Sequence, residues 1–462
     1  MQNMNDFQTN RTYFPMGNGL RSETMEANKT TLLVTPEAQS LYHDVAAPLP
    51  LIDRCLPAVA GVRGWNGFAT PCEAWIRGDV AKITTMRAVG VDERICTGET
   101  SPRELFAAWA AVLPRIEGTE LWMWSQQELQ QYFSIDLELS PKNAKDIWSV
   151  FQKKGAGSSQ PQDKNLLIAE AGRPLFPSAS LDEFPEIQES QYAETTLKPV
   201  FNLSPIFDFS DLGRWIRRIR RLGNRAGGGI SCWEDLLEVL MVRHAAFHAA
   251  GCRLSVHGTV IESAVQWTPG QANAVLKTAL AGTAPNKEET ALFSKAVMES
   301  CAMMDAGARW TTELTVQGKL QKLSEGLIHH LSGMAEWGML PKTVLMGAIP
   351  TQEGLNQMNQ ALGSECAEDI LFAPTGHMGL YEGGLRKFVH LLGNQKLLSR
   401  LSSFRGNSAY FAGVRHQRYR QILCSAISSL AQKGLIDNAP ASLENHVREA
   451  CLGADCSTMN EE

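Results

Sequence analysis

The sequence predicts a (β/α)8 barrel of the TIM type that carries a helical insertion after its first strand. Three observations predict it. From about residue 165 onward, short apolar runs alternate with amphipathic stretches of helix length, the pattern of parallel β/α units. Ahead of them, residues 62–155 read as an almost wholly helical block. Before that block, the apolar run PLIDRCLP (50–57) breaks abruptly into Asp53, Arg54 and Cys55. Barrel enzymes build their sites from polar side chains delivered in this way at the C-terminal ends of strands.

The elements follow in order. Residues 1–30 are polar, rich in Asn, Thr, Gly and Met, and lack periodicity, so they are expected to form a disordered tail. Thr35-Pro36-Glu37 opens a short helix through EAQSLYHDVA, and the run at Leu51 and Ile52 is the first strand. In the insertion, Ser101-Pro102-Arg103-Glu104 is a helix start with proline at the first helical position and glutamate at capping-box spacing. Ser140-Pro141 opens a similar helix toward Ile147, Trp148, Val150 and Phe151, and KKGAGSSQPQDKN (153–165) is a loop by composition. The later strands are assigned to NLLIAEA, KPVFNLSP, GCRLSVHG, PKTVLMGAIP and KLLSRLSSF. Between them lie helical stretches such as WEDLLEVLMVRHAAFHAAG and KLQKLSEGLIHHLSGMAEWG. The barrel is thus expected over 31–450, interrupted by the insertion 62–155, with a flexible C-terminal tail at 451–462.

Composition excludes several classes of function. A net charge of −6 argues against bulk nucleic-acid binding. No apolar run approaches the ~20 residues that span a bilayer, and the polar N-terminus has no signal-type core. The ten cysteines are scattered singly, with no CxxC pair, which suits a reducing compartment. The expectation is a soluble cytoplasmic protein, possible homo-oligomers included.

Several stretches resemble the uronate isomerase (glucuronate isomerase) family, a metal-associated branch of the amidohydrolase superfamily. They are LYHD (41–44), EAWIRGDVAKITTMRAVGVDERICTG (73–98), FAAWAAVLP (106–114), LWMWSQQEL (121–129), HAAGCRLSVH (248–257), LPKTVL (340–345), LLSR (397–400) and RHQRYRQILC (415–424). They run in family order over nearly the whole chain. The resemblance implies an amidohydrolase-type barrel and the aldose–ketose isomerisation of D-glucuronate to D-fructuronate. That reaction needs a general base and acid, and a cation to stabilise the enediolate. It also implies a divalent metal held by an HxH pair on strand 1 and an aspartate after the last strand.

Those positions depart from the family pattern. Its D-x-H-x-H-L-P is met by Asp53-Arg54-Cys55-Leu56-Pro57, in which both histidines are replaced or deleted. Its D-S-R-S-F is met by Asn407-Ser408-Ala409-Tyr410-Phe411, so the metal aspartate becomes an amide and the arginine an alanine. D-H-Y-K-W is met by Asp79-Val80-Ala81-Lys82-Ile83, Y-H-W by Trp122-Met123-Trp124, W-R-P by Leu203-Ser204-Pro205, and S-D-H by Ser255-Val256-His257. Residues that cap or pack the insertion persist: Trp75, Gly78, Arg87, Glu93, Trp109 and Trp124. No confident catalytic residue emerges, and no metal or other cofactor is expected. Residual pocket candidates are Asp53, Cys55, Lys82, His257, Asn407, Arg415 and His416.

Each candidate has a plain structural alternative. Asp53 and Cys55 lie two apart on a strand and could face one way as a carboxylate–thiolate pair, but two ligands hold a metal poorly. Arg415, His416 and His257 are more often structural than ligand-binding. His244 and His248 have i, i+4 spacing without the glutamate of HExxH, so they read as a helix-face pair. In RWIRRIRRLGNR (214–225), Arg214, Arg217, Arg218, Arg221 and Arg225 share one face, and Trp215, Ile219 and Leu222 another. That basic face is either solvated or a patch for an anion or partner, and the GGG at 227–229 is a turn. Two readings of function follow. One is a uronate isomerase-like barrel that has lost metal-dependent catalysis and serves as a binding or assembly subunit, with a sugar acid or another small carboxylate as its ligand class. The other is an active sugar-acid isomerase with a rebuilt site. Neither involves nucleic acid or membrane.

Overall fold

Eight short strands, all parallel to their neighbours, carry the architecture, which is seen in a computed structural model. It describes residues 32–49, 52–57, 70–154, 168–172, 196–259, 264–316, 324–347, 351–374, 381–402 and 413–452. The expected tail at 1–30, most of the loop at 153–165 and Asn407 lie outside the described residues. One ladder runs β1 (Ile52–Pro57), β2 (Ile168–Gly172), β3 (Thr196–Pro199). A second runs β4 (Phe201–Asn202), β5 (Leu254–Thr259), β6 (Thr311–Thr315), β7 (Lys342–Met346), β8 (Ile370–Ala373). Only Val200 separates β3 from β4, so the two ladders follow one another in chain order. Phe372 on β8 then bridges in parallel to Leu401. This is the strand sequence of a (β/α)8 barrel. Among the described residues, no strand pairing joins Leu401 to β1.

Helices separate β1 from β2 and each successive pair from β4 to β8, as parallel pairing requires. The chain enters through α1 (Pro36–Ser40), capped by Thr35 and continued by a wider turn at Leu41–Ala46. The insertion comprises α2 (Pro71–Arg77), α3 (Val80–Ala88), α4 (Glu93–Thr97), α5 (Pro102–Val112), α6 (Glu120–Phe133) and α7 (Ala144–Lys154). The capping box at Ser101 and Glu104 is formed as the sequence predicts. The helix expected from Pro141 instead begins at Ala144, because residues 141–143 form a turn that Asn143 ties back to the Glu138 carbonyl. Trp75, Phe106, Phe133 and Phe151 pack edge-on or stacked in the insertion core, with Phe133 and Phe151 centroids 4.5 Å apart.

Beyond the insertion come α8 (Ser204–Phe207), α9 (Leu212–Arg225), α10 (Trp233–Ala249), α11 (Pro269–Leu280), α12 (Lys287–Gly307), α13 (Glu325–Glu336), α14 (Gln352–Glu368), α15 (Glu382–Asn394), α16 (Gly413–Gln432) and α17 (Pro440–Leu452). α17 takes in Cys451 and Leu452, which the sequence reading assigns to the tail. The described part of the run KLLSRLSSF, through Ser402, is not an extended strand. It makes a 3-10 turn at Leu398–Arg400 and one bridge at Leu401. β6 (TTELT), which covers the Leu314-Thr315 stretch that the resemblance matches to the family's Y-H-x-G strand, and β8 (ILFA), absent from the sequence assignment, complete the order. β6 is polar on both faces: Thr312 bonds to Asp305 on one, and Glu313 is buried on the other, as described below.

Register separates the two faces of the second ladder. Val256, Glu313, Val344 and Leu371 are mutual partners and share one face. Val344, Met346, Leu371 and Ala373 form a separate apolar cluster there. Leu314, Leu345, Ile370 and Phe372 face the opposite way, into the large core shared with the helices. Cys72, Cys96, Cys232, Cys252, Cys301, Cys366, Cys424 and Cys451 are free.

Candidate functional site: a closed quartet of buried charges

Gly78 ends α2 and Asp79 immediately caps α3, its Oδ1 accepting the backbone N–H groups of Ala81 (2.9 Å) and Lys82 (3.3 Å). Capping turns Lys82 inward on the first turn of α3. Its Nζ donates to Glu128 Oε2 on α6 (2.6 Å) and to the Trp75 carbonyl (3.2 Å), and it lies 3.4 Å from Asp79 Oδ2. From α16, Arg415 donates to Asp79 Oδ1 (3.4 Å) and Oδ2, and to Glu128 Oε1 (3.4 Å). Two cations and two carboxylates thus form a neutral quartet whose side chains are at most 1% exposed.

Aromatic rings wall the quartet. The ammonium of Lys82 sits 4.1 Å from the Trp75 ring centroid, and the Arg415 guanidinium 4.9 Å from that of Trp124. Trp124 stacks on Tyr381 at 5.6 Å and 9°. The Trp75 Nε1–H donates to Glu128 Oε2 (2.6 Å), so that oxygen receives both an indole and an ammonium. Burial pushes the Asp79 carboxyl upward, but the charges of Arg415 and Lys82 outweigh it and hold it below the usual carboxylate range. Burial likewise lowers Arg415, and the carboxylates of Asp79 and Glu128 raise it above its ordinary value.

Of the sequence candidates, Lys82 and Arg415 are therefore brought together, through two carboxylates that the sequence reading does not single out as partners. His416, the next residue, is buried on the same first turn of α16. Glu128 carries a legible signal: it repeats at helical spacing with Leu121 and Trp124, where an apolar side chain would be the rule. A carboxylate at a core position demands a buried cation. Close by, Glu120 on α6 accepts the Glu382 backbone N–H (2.7 Å) at the start of α15, joining the insertion to the barrel. Burial, with the Glu382 charge, pushes its carboxyl up to about 7 against that hydrogen bond.

His257 lies apart from the quartet. The register of β5 against β6 shifts between Val256 and Gly258, leaving His257 as the extra residue of a bulge. Gly258 follows at φ +76°, where a Cβ would come within 3.0 Å of Ser204 Oγ. The bulge aims His257 at the helices: its Nε2 lies 2.8 Å from Ser255 Oγ and 3.1 Å from Asp305 Oδ2 on α12. Asp305 also accepts from His244 Nε2 (3.0 Å) and Thr312 Oγ1 (2.8 Å). Burial raises its carboxyl, yet the two imidazoles hold it below the usual value. His244 stacks on Trp310 at 3.7 Å, and Trp310 donates to His248 Nδ1 (3.0 Å), so the i, i+4 histidines serve the barrel wall. On the other face of β6, the Glu313 carboxylate is fully buried in the layer of Val344 and Leu371.

Asp53 and Cys55 lie on β1, whose pairing with β2 is irregular between Asp53 and Leu56. Among the described residues, no group of three or more His, Cys, Asp or Glu side chains is arranged to hold a metal ion. On β1 itself, only Asp53 and Cys55 carry donor atoms of the usual metal-binding types. This donor set does not fit a divalent metal bound by an HxH pair.

A parallel β/α fold with a helical block after β1, tied to α16 by a buried ion network, is consistent with a TIM-type barrel. A family model described as glucuronate isomerase matches residues 24–322, and the chain belongs to that family. It is 28% identical to the uronate isomerase of Opitutus terrae over 451 residues, covering 91% of this chain and 94% of that one. With that of Geobacillus thermodenitrificans it shares 26% identity over 453 residues, 91% and 96% of the two chains. Two solved structures share the fold. The uronate isomerase of Thermotoga maritima superposes with a TM-score of 0.76 at 20% identity, covering 92% of this chain and 98% of that one. The glucuronate isomerase of Caulobacter crescentus gives 0.74 at 16%, covering 94% and 97%.

Proposed function

We propose that this chain is a uronate isomerase-family barrel that has lost metal-dependent isomerisation and acts as a binding or assembly subunit, with a sugar acid or another small carboxylate as its ligand class. The observation that carries this reading is the closed quartet. Lys82 and Arg415 occupy positions matched to the family's motifs, yet each is already saturated by Asp79 and Glu128 and shielded from solvent. A cation spent on a buried carboxylate offers little further field to an enediolate. The departures at Cys55, Pro57 and Asn407 point the same way, since they remove the donor types that the family reaction uses.

The test is turnover. Purified protein supplied with D-glucuronate and, in separate runs, manganese, zinc or magnesium should form D-fructuronate at a rate orders of magnitude below the ~1–10³ per second of ordinary enzymes. Elemental analysis should find no stoichiometric transition metal. Turnover in the ordinary range would overturn the reading and direct the search to a rebuilt site around Asp53, Cys55 and Asn407. As a control, inserting two histidines around Cys55 together with Asn407→Asp re-creates the family donor pattern.

A further inference from the structure

We propose that the arginine face of α9 is a docking surface for a carboxylate-rich segment of a partner protein. The helix 212–225 contains six arginines and no lysine, aspartate or glutamate. Asp211 caps it, accepting the Arg214 N–H at 2.8 Å, and Trp215, Ile219 and Leu222 bury its inner face. Gly223 completes that face: a Cβ there would stand 2.8 Å from the Gly228 carbonyl, so the triple-glycine turn folds directly onto it. With the inner face fixed, Arg214, Arg217, Arg218, Arg221 and Arg225 fall within an arc of about 100° on the opposite side, along ~16 Å of axis.

Charge is left over on this face. Arg214 meets Asp211 at 3.5 Å and Arg218 meets Asp208 at 3.3 Å, both at the N-terminal end. Arg217 and Arg221 are exposed and have no carboxylate within 4.0 Å among the described residues, and neither has Arg220, exposed just outside the arc. Beyond them, Arg225 presses on the buried Arg243 of α10, which burial and then the Arg225 charge hold below its ordinary value. Like charges three and four apart destabilise a helix, so the arrangement opposes folding rather than aiding it. A solvated face on a chain of net charge −6 is served as well by alternating Glu and Lys. Guanidinium forks, by contrast, match carboxylates bidentately where an ammonium is only a point charge.

The geometry favours an acidic protein segment over nucleic acid. A duplex carries a charge every ~1.7 Å without end, and would continue past both limits of a ~16 Å stripe on a chain whose net charge is −6. Negative charge confined to about three helical turns matches the stripe and ends with it.

The probe is a fluorescein-labelled 18-residue peptide with glutamate at four or five positions of helical i, i+3/i+4 spacing, titrated with the full-length protein in 50 mM salt and followed by anisotropy. Single-stranded RNA of 20 nucleotides and vesicles containing 30% anionic lipid are titrated alongside. The peptide should bind, weaken as salt rises, and lose at least tenfold in affinity with Arg217→Glu/Arg221→Glu. Arg217→Lys/Arg221→Lys should lose about two- to fivefold, as the fork is lost while the charge remains. Both pairs lie on exposed turns, and circular dichroism melts within a few degrees of the parent protein establish that they fold. The proposal is overturned if the peptide does not bind, if the glutamate variant binds it as tightly as the parent, or if RNA or vesicles bind more tightly than the peptide.

Discussion

Glu128→Gln alters the quartet by one charge and almost nothing in shape. The amide oxygen still accepts from the Trp75 indole and the Lys82 ammonium, but Lys82 loses the negative charge it pairs with, and Arg415 meets an amide NH2 where it had a carboxylate oxygen at 3.4 Å. Of the quartet's carboxylates, Asp79 would then remain for two buried cations, among side chains at most 1% exposed. Removing one member of a buried pair typically costs ~3–5 kcal/mol, because the remaining charge has neither solvent nor partner. With an unfolding entropy near 2.1 cal/mol/K per residue, roughly 1 kcal/mol/K for a chain of this length, the loss is a fall of about 3–5 °C in melting temperature. Lys82→Met/Glu128→Gln restores neutrality and should recover more than half of that loss, since well-packed apolar replacements of buried pairs are often tolerated. Thermal melts followed by tryptophan fluorescence suit the measurement, because Trp75 and Trp124 line the network. A single variant melting within about 1 °C of the parent would refute the reasoning. So would a double variant less stable than the single one.

Further outcomes follow from other buried groups. Native Glu120 titrates near 7, above its ordinary 4.5, so the stability it contributes is full below 4.5 and is lost as pH rises through 7, by up to ~3 kcal/mol. Glu120→Gln should therefore flatten the melting temperature between pH 5 and 9, and an unchanged slope would remove Glu120 as its source. Asp305 is held below 3.8, so its contribution is present above that value and disappears as pH falls through the native pKa. Asp305→Asn should cost ~3–5 kcal/mol at pH 7 in urea unfolding, a gap that narrows below pH 3.8. Gly223→Ala drives a methyl against the Gly228 carbonyl and should lower stability by about 1–3 kcal/mol, read as a reduced urea midpoint at unchanged slope.

Much of this molecule is settled within a few residues of sequence. The capping box at Ser101 and Glu104, the proline-led start of α2 behind Thr70, and the arginine and tryptophan faces of α9 all depend on neighbours at most four positions apart. That PLIDRCLP (50–57) holds no histidine is equally plain in the sequence, because the identity of a residue needs no fold to be read. The polar strand β6 was harder to see: Thr312 answers Asp305 on one face while Glu313 is buried on the other, so neither apolar run nor clean alternation marks it.

What Lys82 and Arg415 do was decided only by the tertiary structure. Asp79 and Arg415 stand 336 positions apart, and Glu128 and Arg415 287, so nothing local distinguishes a buried partner from a solvated charge. The cost of leaving water depends on what surrounds a charge once every helix is in place. The direction of His257 has a similar origin. Period-two alternation says that Ser255 and His257 share a face, but in a parallel sheet covered on both sides it does not say which face. The bulge before Gly258 and the carboxylate waiting on α12 settle that, and both are properties of how strand and helix meet.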